Sequence, residues 1–210
     1  LSVTFLTTGV AAINVVSAQA DTVITGVDVS RWDHSPTSAY PAGTPIDWVK
    51  VKAAGRSFAI IKASERTNYR NPYFASDYTQ AKAAGLVVGA YHFARPALPI
   101  STARDQARYF ISTVQKVGSF RDQKTFPAVL DLETTGGLGK EDLIAWTQQF
   151  LNTTQALTGR KPILYSYDWF IRSTLGNTKQ FSSYPFWYAR YTTTVPTSST
   201  IPGGWSQWTL

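Results

Sequence analysis

From residue 21 onward, short apolar runs alternate with longer amphipathic ones. The apolar runs at 23–29, 58–63, 86–94, 126–132, 162–167, 185–191 and 205–210 are predicted strands. Several are apolar almost throughout, the pattern of strands covered on both faces in a parallel sheet. Helix signals lie between them. Thr44-Pro45-Ile46-Asp47 offers a capping Thr, Pro at the first helical position and an acid in the first turn. Asn71-Pro72 opens a second helix, and Thr102 with Asp105 resembles a capping box for a third. Gly55 and Gly85, each closing an Ala-Ala-Gly, are stop signals. The longest amphipathic stretch, 140–159, carries Leu143, Trp146, Phe150 and Leu157 at helical spacing. Strand-then-helix units at intervals of roughly 20–40 residues predict an α/β fold, either a TIM-like (β/α) barrel or a doubly wound sheet. There is no Gly-x-Gly-x-x-Gly after the first strand and no phosphate-binding Gly-x-x-x-x-Gly-Lys-Ser/Thr loop, so the doubly wound nucleotide-binding alternative lacks its usual support. The last strand candidate runs to Leu210, one strand short of a closed barrel.

Residues 1–20 stand apart in composition. Leu1 to Ser17 carry no charge, and Ala18-Gln19-Ala20 is a small-x-small cleavage pattern just before Asp21. This predicts a signal peptide remnant at 1–20 and a catalytic barrel domain at 21–210, truncated at its C-terminus; the alternative for 1–20 is a buried N-terminal helix. No other segment approaches the roughly 18 apolar residues of a membrane span. The expectation is a secreted, extracellular monomer. With no cysteine there is no disulfide framework, thiolate nucleophile or thiolate metal site. The net charge of +7 is scattered over residues such as Lys50, Lys52, Arg56, Lys62, Arg66 and Arg70, without the stripe or module of a nucleic-acid binder. In an exported protein such an excess favours an anionic cell wall surface, or simply solubility. Aromatics are high at 14%; most are expected in the core, although an enzyme acting on a polysaccharide would need several exposed, since flat rings stack on sugar faces.

The most informative segment is Val129-Leu130-Asp131-Leu132-Glu133. Strand alternation points Asp131 and Glu133 to one side and the leucines to the other. Two acids on one face repel, and the pair then divides into a protonated and an ionised member, the state that acid-assisted glycoside cleavage uses. An exposed strand end with two solvated acids is the bland alternative. Barrel geometry supplies the context, because catalytic groups of such barrels project from the C-terminal ends of several strands. Asp28 lies at the end of the first strand and Glu65 after the second. Tyr91, His92 and Phe93 close the third, Tyr165 and Tyr167 the fifth, and Trp187 and Tyr188 lie in the sixth. His92 is expected to be a hydrogen-bonded strand-end residue rather than a base. The two histidines, His34 and His92, form no metal-ligand spacing, so neither a metal nor another cofactor is expected. No Gly-x-Ser-x-Gly elbow is present.

Taken together and in this order, Gly26-Val27-Asp28-Val29-Ser30, Ile61-Lys62-Ala63-Ser64-Glu65, Gly89-Ala90-Tyr91-His92-Phe93 and Leu130-Asp131-Leu132-Glu133 resemble the glycoside hydrolase family 25 lysozymes, the Chalaropsis-type N-acetylmuramidases. The resemblance spans residues 24–210. It implies a flattened barrel and hydrolysis of the β-1,4 bond between N-acetylmuramic acid and N-acetylglucosamine in peptidoglycan. It also implies Glu133 as proton donor with Asp131 and Asp28 assisting, and Tyr91, Tyr165 and Trp187 as walls of the sugar cleft; Glu65 is expected to bind substrate with them. The family usually places another acid after a strand that Trp205-Ser206-Gln207-Trp208 resembles, and that segment would lie past Leu210. Two other readings remain: a chitinase-like glycosidase, which would want acids where Phe126 and Val129 stand, and a wall-binding barrel without catalysis, which has no use for clustered carboxylates.

Overall fold

The computed structural model describes residues 12–16, 23–192 and 195–210. Strand β1 (Ala12–Val16) lies antiparallel against β2 (Val23–Val29), with Ala12 opposite Val27. Within the predicted signal-peptide remnant, residues 12–16 thus form an edge strand and not part of the alternative N-terminal helix. This short run holds Ile13, Val15 and Val16, and the edge of β2 offers unpaired backbone groups to a β-branched segment. The rest of 1–20 lies outside the described residues.

Helix α1 (Trp48–Ala53) starts later than its sequence signal. Asp47, not Thr44, is the cap, its carboxylate accepting from the Lys50 N–H at 3.0 Å. Next come β3 (Phe58–Glu65), the short return strand β4 (Tyr69–Arg70) that pairs only with the end of β3, α2 (Phe74–Ala83) and β5 (Val87–Phe93). Helix α3 (Thr102–Val114) has no capping box at Thr102. That hydroxyl donates instead to the Ala97 carbonyl at 2.6 Å and accepts from the Trp146 indole at 2.9 Å, tying α3 to α4 (Lys140–Thr158). Strand β6 (Val129–Asp131) is three residues long, shorter than predicted, because Pro127 has no N–H to continue the ladder. Strands β7 (Ile163–Tyr167) and β8 (Phe186–Ala189) complete the sheet.

The strand path is β1-β2-β3-β5-β6-β7-β8, parallel throughout except at β1, and it curls into a half-barrel; the described residues show no full barrel. The predicted strand at 205–210 is not regular. Gly203 and Gly204 turn the chain at positive φ, 68° and 76°. Trp205 stacks on Phe186 of β8 at 4.2 Å, and only the tail makes backbone bonds to that strand, Thr209 N–H to Phe186 C=O (2.7 Å) and Tyr188 N–H to Leu210 C=O (2.9 Å). Among the described residues no helix is long and apolar enough to cross a membrane.

Alternation along the strands sorts the core into two layers. Residues such as Val27, Ala59, Ile61, Val88, Ala90, Leu130 and Leu164 face the helices and pack with Phe110, Trp146 and Phe150. The other face buries Phe58, Ile60, Val129, Ile163, Trp187 and Leu210 inside the curl. Full burial of such a side chain contributes about 1.5–3 kcal/mol. The inner layer fits because glycine stands beside each bulky neighbour: Gly26 is in register with Phe58, and Gly89 with Ile60. A Cβ at Gly26 would lie 2.3 Å from the Phe58 ring, which is buried and has nowhere to swing. Gly26→Ala is therefore expected to lower unfolding stability by about 1–3 kcal/mol, the usual cost of overpacking. A urea midpoint equal to that of the wild type would refute this account of the inner layer.

Candidate active site

The inner layer ends in polar groups. Two residues beyond Gly26, Gly89, Val129 and Ile163, the same alternation brings Asp28, Tyr91, Asp131 and Tyr165 to the C-terminal end of the half-barrel. Leu132 turns back into the helix-facing core, its N–H bonded to Tyr165 C=O at 3.0 Å, so the next residue, Glu133, returns to the side of Asp131.

Asp28, Asp131 and Glu133 form one electrostatic cluster. Burial pushes the Asp28 carboxyl from the ordinary 3.8 up to about 7, with help from the negative charges of Asp33 and then Glu133. Asp131 is only 7% exposed. Its carboxyl is held well above the ordinary range, first by burial and then by the charge of Glu133; Lys62 opposes both. Asp131 is thus held protonated beside the Glu133 charge in the ligand-free site. Its Oδ1 is buried with no hydrogen-bond partner among the described residues, an arrangement that costs stability until something fills it. Tyr91 and Tyr165 border the cluster; burial first, then the charges of the surrounding carboxylates, hold both phenols strongly protonated.

The other predicted site residues have different surroundings. Trp187 is 6% exposed and packs edge-on against Tyr165 at 4.7 Å between ring centroids, so it backs the wall that Tyr165 presents. Glu65 is clamped between two cations, Lys62 Nζ at 2.8 Å and Arg95 Nε at 2.7 Å, and those contacts pull its carboxyl below the ordinary range against the opposing effect of burial. Both cations also lie 4.6 Å from the centre of the Phe93 ring. His92 faces the helices. Its Nε2 is 3.0 Å from Gln106 Oε1 and its Nδ1 is 2.9 Å from Ser64 Oγ. Gln106 Oε1 can only accept, so Nε2 carries the proton and Nδ1 accepts from Ser64. Complete burial drops the His92 pKa to about 4 and keeps the ring neutral.

Two residues of this end were not singled out in the sequence. Asp33 follows Asp28 by one capped turn, in which Asp33 Oδ2 accepts from the Ser30 N–H at 2.8 Å and Ser30 Oγ from the Trp32 N–H at 3.2 Å. The next residue, His34, is anchored to Asp77 at 2.9 Å and stacked on Tyr73 at 3.7 Å, which fixes the turn to α2. The Ser-x-x-Asp spacing was the available signal for Asp33. Lys62 carried no signal beyond its place in the strand. Exposed aromatics do occur at this end: Trp32, Trp169 and Tyr191, each just past a strand, are 75%, 63% and 89% exposed. Among the described residues no three His, Asp or Glu side chains converge as metal ligands.

Residues 27–210 match the family described as Glycosyl hydrolases family 25. The chain belongs to glycosyl hydrolases family 25. The family match takes in Asp28, Asp131 and Glu133 together. Lysozyme M1 of Streptomyces globisporus is 38% identical over 194 residues, covering 89% of this chain and 60% of the relative, so the chain spans about three-fifths of that protein's length. The N,O-diacetylmuramidase of a Chalaropsis species is 34% identical over 197 residues, covering 89% of this chain and 86% of the relative. The crystal structure of the bacterial lysozyme from Streptomyces coelicolor superposes with a TM-score of 0.75 at 34% identity, over 90% of this chain and 82% of that one.

The raised Asp28 pKa makes this family 25 site a burden on the fold. Between about 4 and about 7 the folded protein holds a proton that unfolded Asp28 has released, so the Asp28 contribution to stability falls as pH rises through that window. Asp28→Asn cannot ionise and escapes the loss. It should gain on the wild type by up to about 1 kcal/mol per pH unit across the window and no further above it. Urea unfolding at pH 4, 5.5 and 7 measures the gap; a gap that stays constant over the three would contradict the buried-carboxyl account.

Proposed function

We propose that this protein is a lysozyme, hydrolysing the β-1,4 bond between N-acetylmuramic acid and N-acetylglucosamine in bacterial peptidoglycan. Residues 21–210 act as its catalytic domain, and residues 1–20 are the remnant of a signal peptide that directs it out of the cell as a monomer. The +7 charge assists its approach to an anionic wall.

The observation that carries this reading is the orphaned, buried Asp131 Oδ1 beside Glu133. The substrate class bears an acetamido group next to the reacting carbon, and its N–H is the donor that Oδ1 lacks. In the free protein burial keeps a proton on Asp131, beside Glu133. An amide N–H donated to Asp131 favours the ionised form there and moves the proton to Glu133. Glu133 then protonates the departing glycosidic oxygen, while the acetamido carbonyl oxygen attacks the anomeric carbon. Asp131 steadies the positive charge that builds on the acetamido nitrogen. Water opens the resulting ring, with Glu133 as base, and the configuration is retained overall. Asp28 assists by electrostatics; acting instead as the nucleophile itself, it would give the same stereochemistry. Tyr91 and Tyr165, the latter backed by Trp187, grip the sugar, and Glu65 holds the Lys62–Arg95 side of the site.

Glu133→Gln keeps the shape of the side chain but has no proton to transfer. Loss of turbidity in a cell-wall suspension should slow by about 10²–10⁴-fold with folding intact. More than a tenth of wild-type activity would remove Glu133 from the role, and soluble chitin run alongside separates the chitinase-like alternative. Proton NMR of the first-formed reducing end should show the β-anomer before mutarotation. An initial α-anomer would mean inversion and would exclude both the acetamido and the Asp28 nucleophile.

A further inference from the structure

A cavity of about 560 Å³ lies at the ends of β3, β5 and β6, where Thr134, the residue after Glu133, is part of its lining. Arg66, which follows Glu65, and Arg95, which binds Glu65, line it together with Thr67, Thr134 and Gly136, and Asp105 lines it from the first turn of α3. Two guanidinium groups thus face a single carboxylate. Three features mark the cavity as more than a dent in the surface. Arg66 makes no ion pair or hydrogen bond among the described residues, although Arg95 and Lys62 beside it are engaged. Its backbone sits at φ 50°, where glycine would be at ease, so the turn itself does not call for arginine. The Thr134 hydroxyl, directly after Glu133, is buried with no partner. Gly136 leaves the floor open, since a Cβ there would strike the Pro96 carbonyl.

On the lysozyme reading, we infer that this cavity receives the carboxylate-bearing lactyl–peptide substituent of the muramic acid ring. Arg66 would bind the carboxylate, with Arg95 kept on Glu65 in the wall beside it, and Thr134 would bind an adjacent amide or carboxylate oxygen. Chitin has a plain hydroxyl at that ring position and nothing to place there, so the cavity separates the two polymers by charge. The ligand charge has two sources. In free N-acetylmuramic acid it lies on the lactyl group itself. In muramyl dipeptide the lactyl carboxyl is an amide and the charge lies at the peptide end.

NMR titration with these two compounds, and with N-acetylglucosamine as the neutral control, tests the inference without requiring turnover. Amide signals of Thr134 and Gly136 should shift with at least one charged ligand. Arg66→Glu should raise that ligand's Kd about tenfold or more, Arg66→Lys should recover most of it, and N-acetylglucosamine should bind both proteins alike. The effect should shrink with added salt. Weakening confined to one ligand tells which carboxylate is held. Equal affinity of wild type and Arg66→Glu for both charged ligands, or no shift at Thr134 and Gly136, would overturn the subsite. Wall lysis by the wild type is measured separately. Lysis without charged-ligand selectivity rejects the cavity and keeps the hydrolase, and selectivity without lysis does the reverse.

Discussion

The site depends on keeping water away from carboxyl groups that would otherwise be ionised and apart. Phe58, Ile60, Val129, Ile163, Trp187 and Leu210 fill the half-barrel beneath Asp28 and Asp131, and the tyrosines close in from the side. Burial is accordingly the largest influence on both acids, ahead of any neighbouring charge. A looser inner layer would admit water, let both groups ionise and separate, and leave nothing poised to exchange a proton. The glycines at 26 and 89 belong to this arrangement, because without them the aromatic and branched side chains of β3 could not lie in register with β2 and β5.

The cations close to the acids are already committed. Lys62 and Arg95 hold Glu65 between them and lie over Phe93, which spends their charge locally. Lys62 still lowers the Asp131 pKa, but burial and Glu133 overrule it. Had either cation been free to reach Asp131, the pair would have become an ordinary ion pair with both acids ionised. The clamp on Glu65 therefore protects the protonation state next door. It also sets Arg66 apart as a cation with no partner among the described residues.

Much of this was legible in the chain. Near-continuous apolar runs located β2, β3, β5, β7 and β8, and strict two-residue alternation placed Asp28, Asp131 and Glu133 on one side. The failures share a cause: local signals competed with contacts from distant residues. Thr102 resembles a cap, but its hydroxyl is taken by Trp146, 44 residues away. Thr44-Pro45 resembles a helix start, yet Asp47 captures the cap and Thr44 bonds to the Ser35 carbonyl. Pro127 shortened β6, and the glycines at 203 and 204 turn the chain just before 205–210, where Ser206, Gln207 and Thr209 interrupt the apolar residues and no regular strand forms. Trp187 carried an aromatic signal but not its burial, which follows from β8 being pressed against β7. Asp33 showed only the Ser-x-x-Asp spacing of its capped turn, which does not reveal the charge it brings to bear on Asp28.

His92 gives the sheet a second proton account on its opposite face. Buried and neutral, it takes up a proton when the chain unfolds in mild acid, whereas Asp28 and Asp131 release theirs. Between about pH 4 and 6.5 part of the exchange is internal: a proton that leaves the inner side of the sheet is matched by one bound on the outer side. The helix-facing histidine thereby offsets part of the pH dependence that the inner-face carboxyls impose, and the folded state changes less in stability across this window than either face alone would allow.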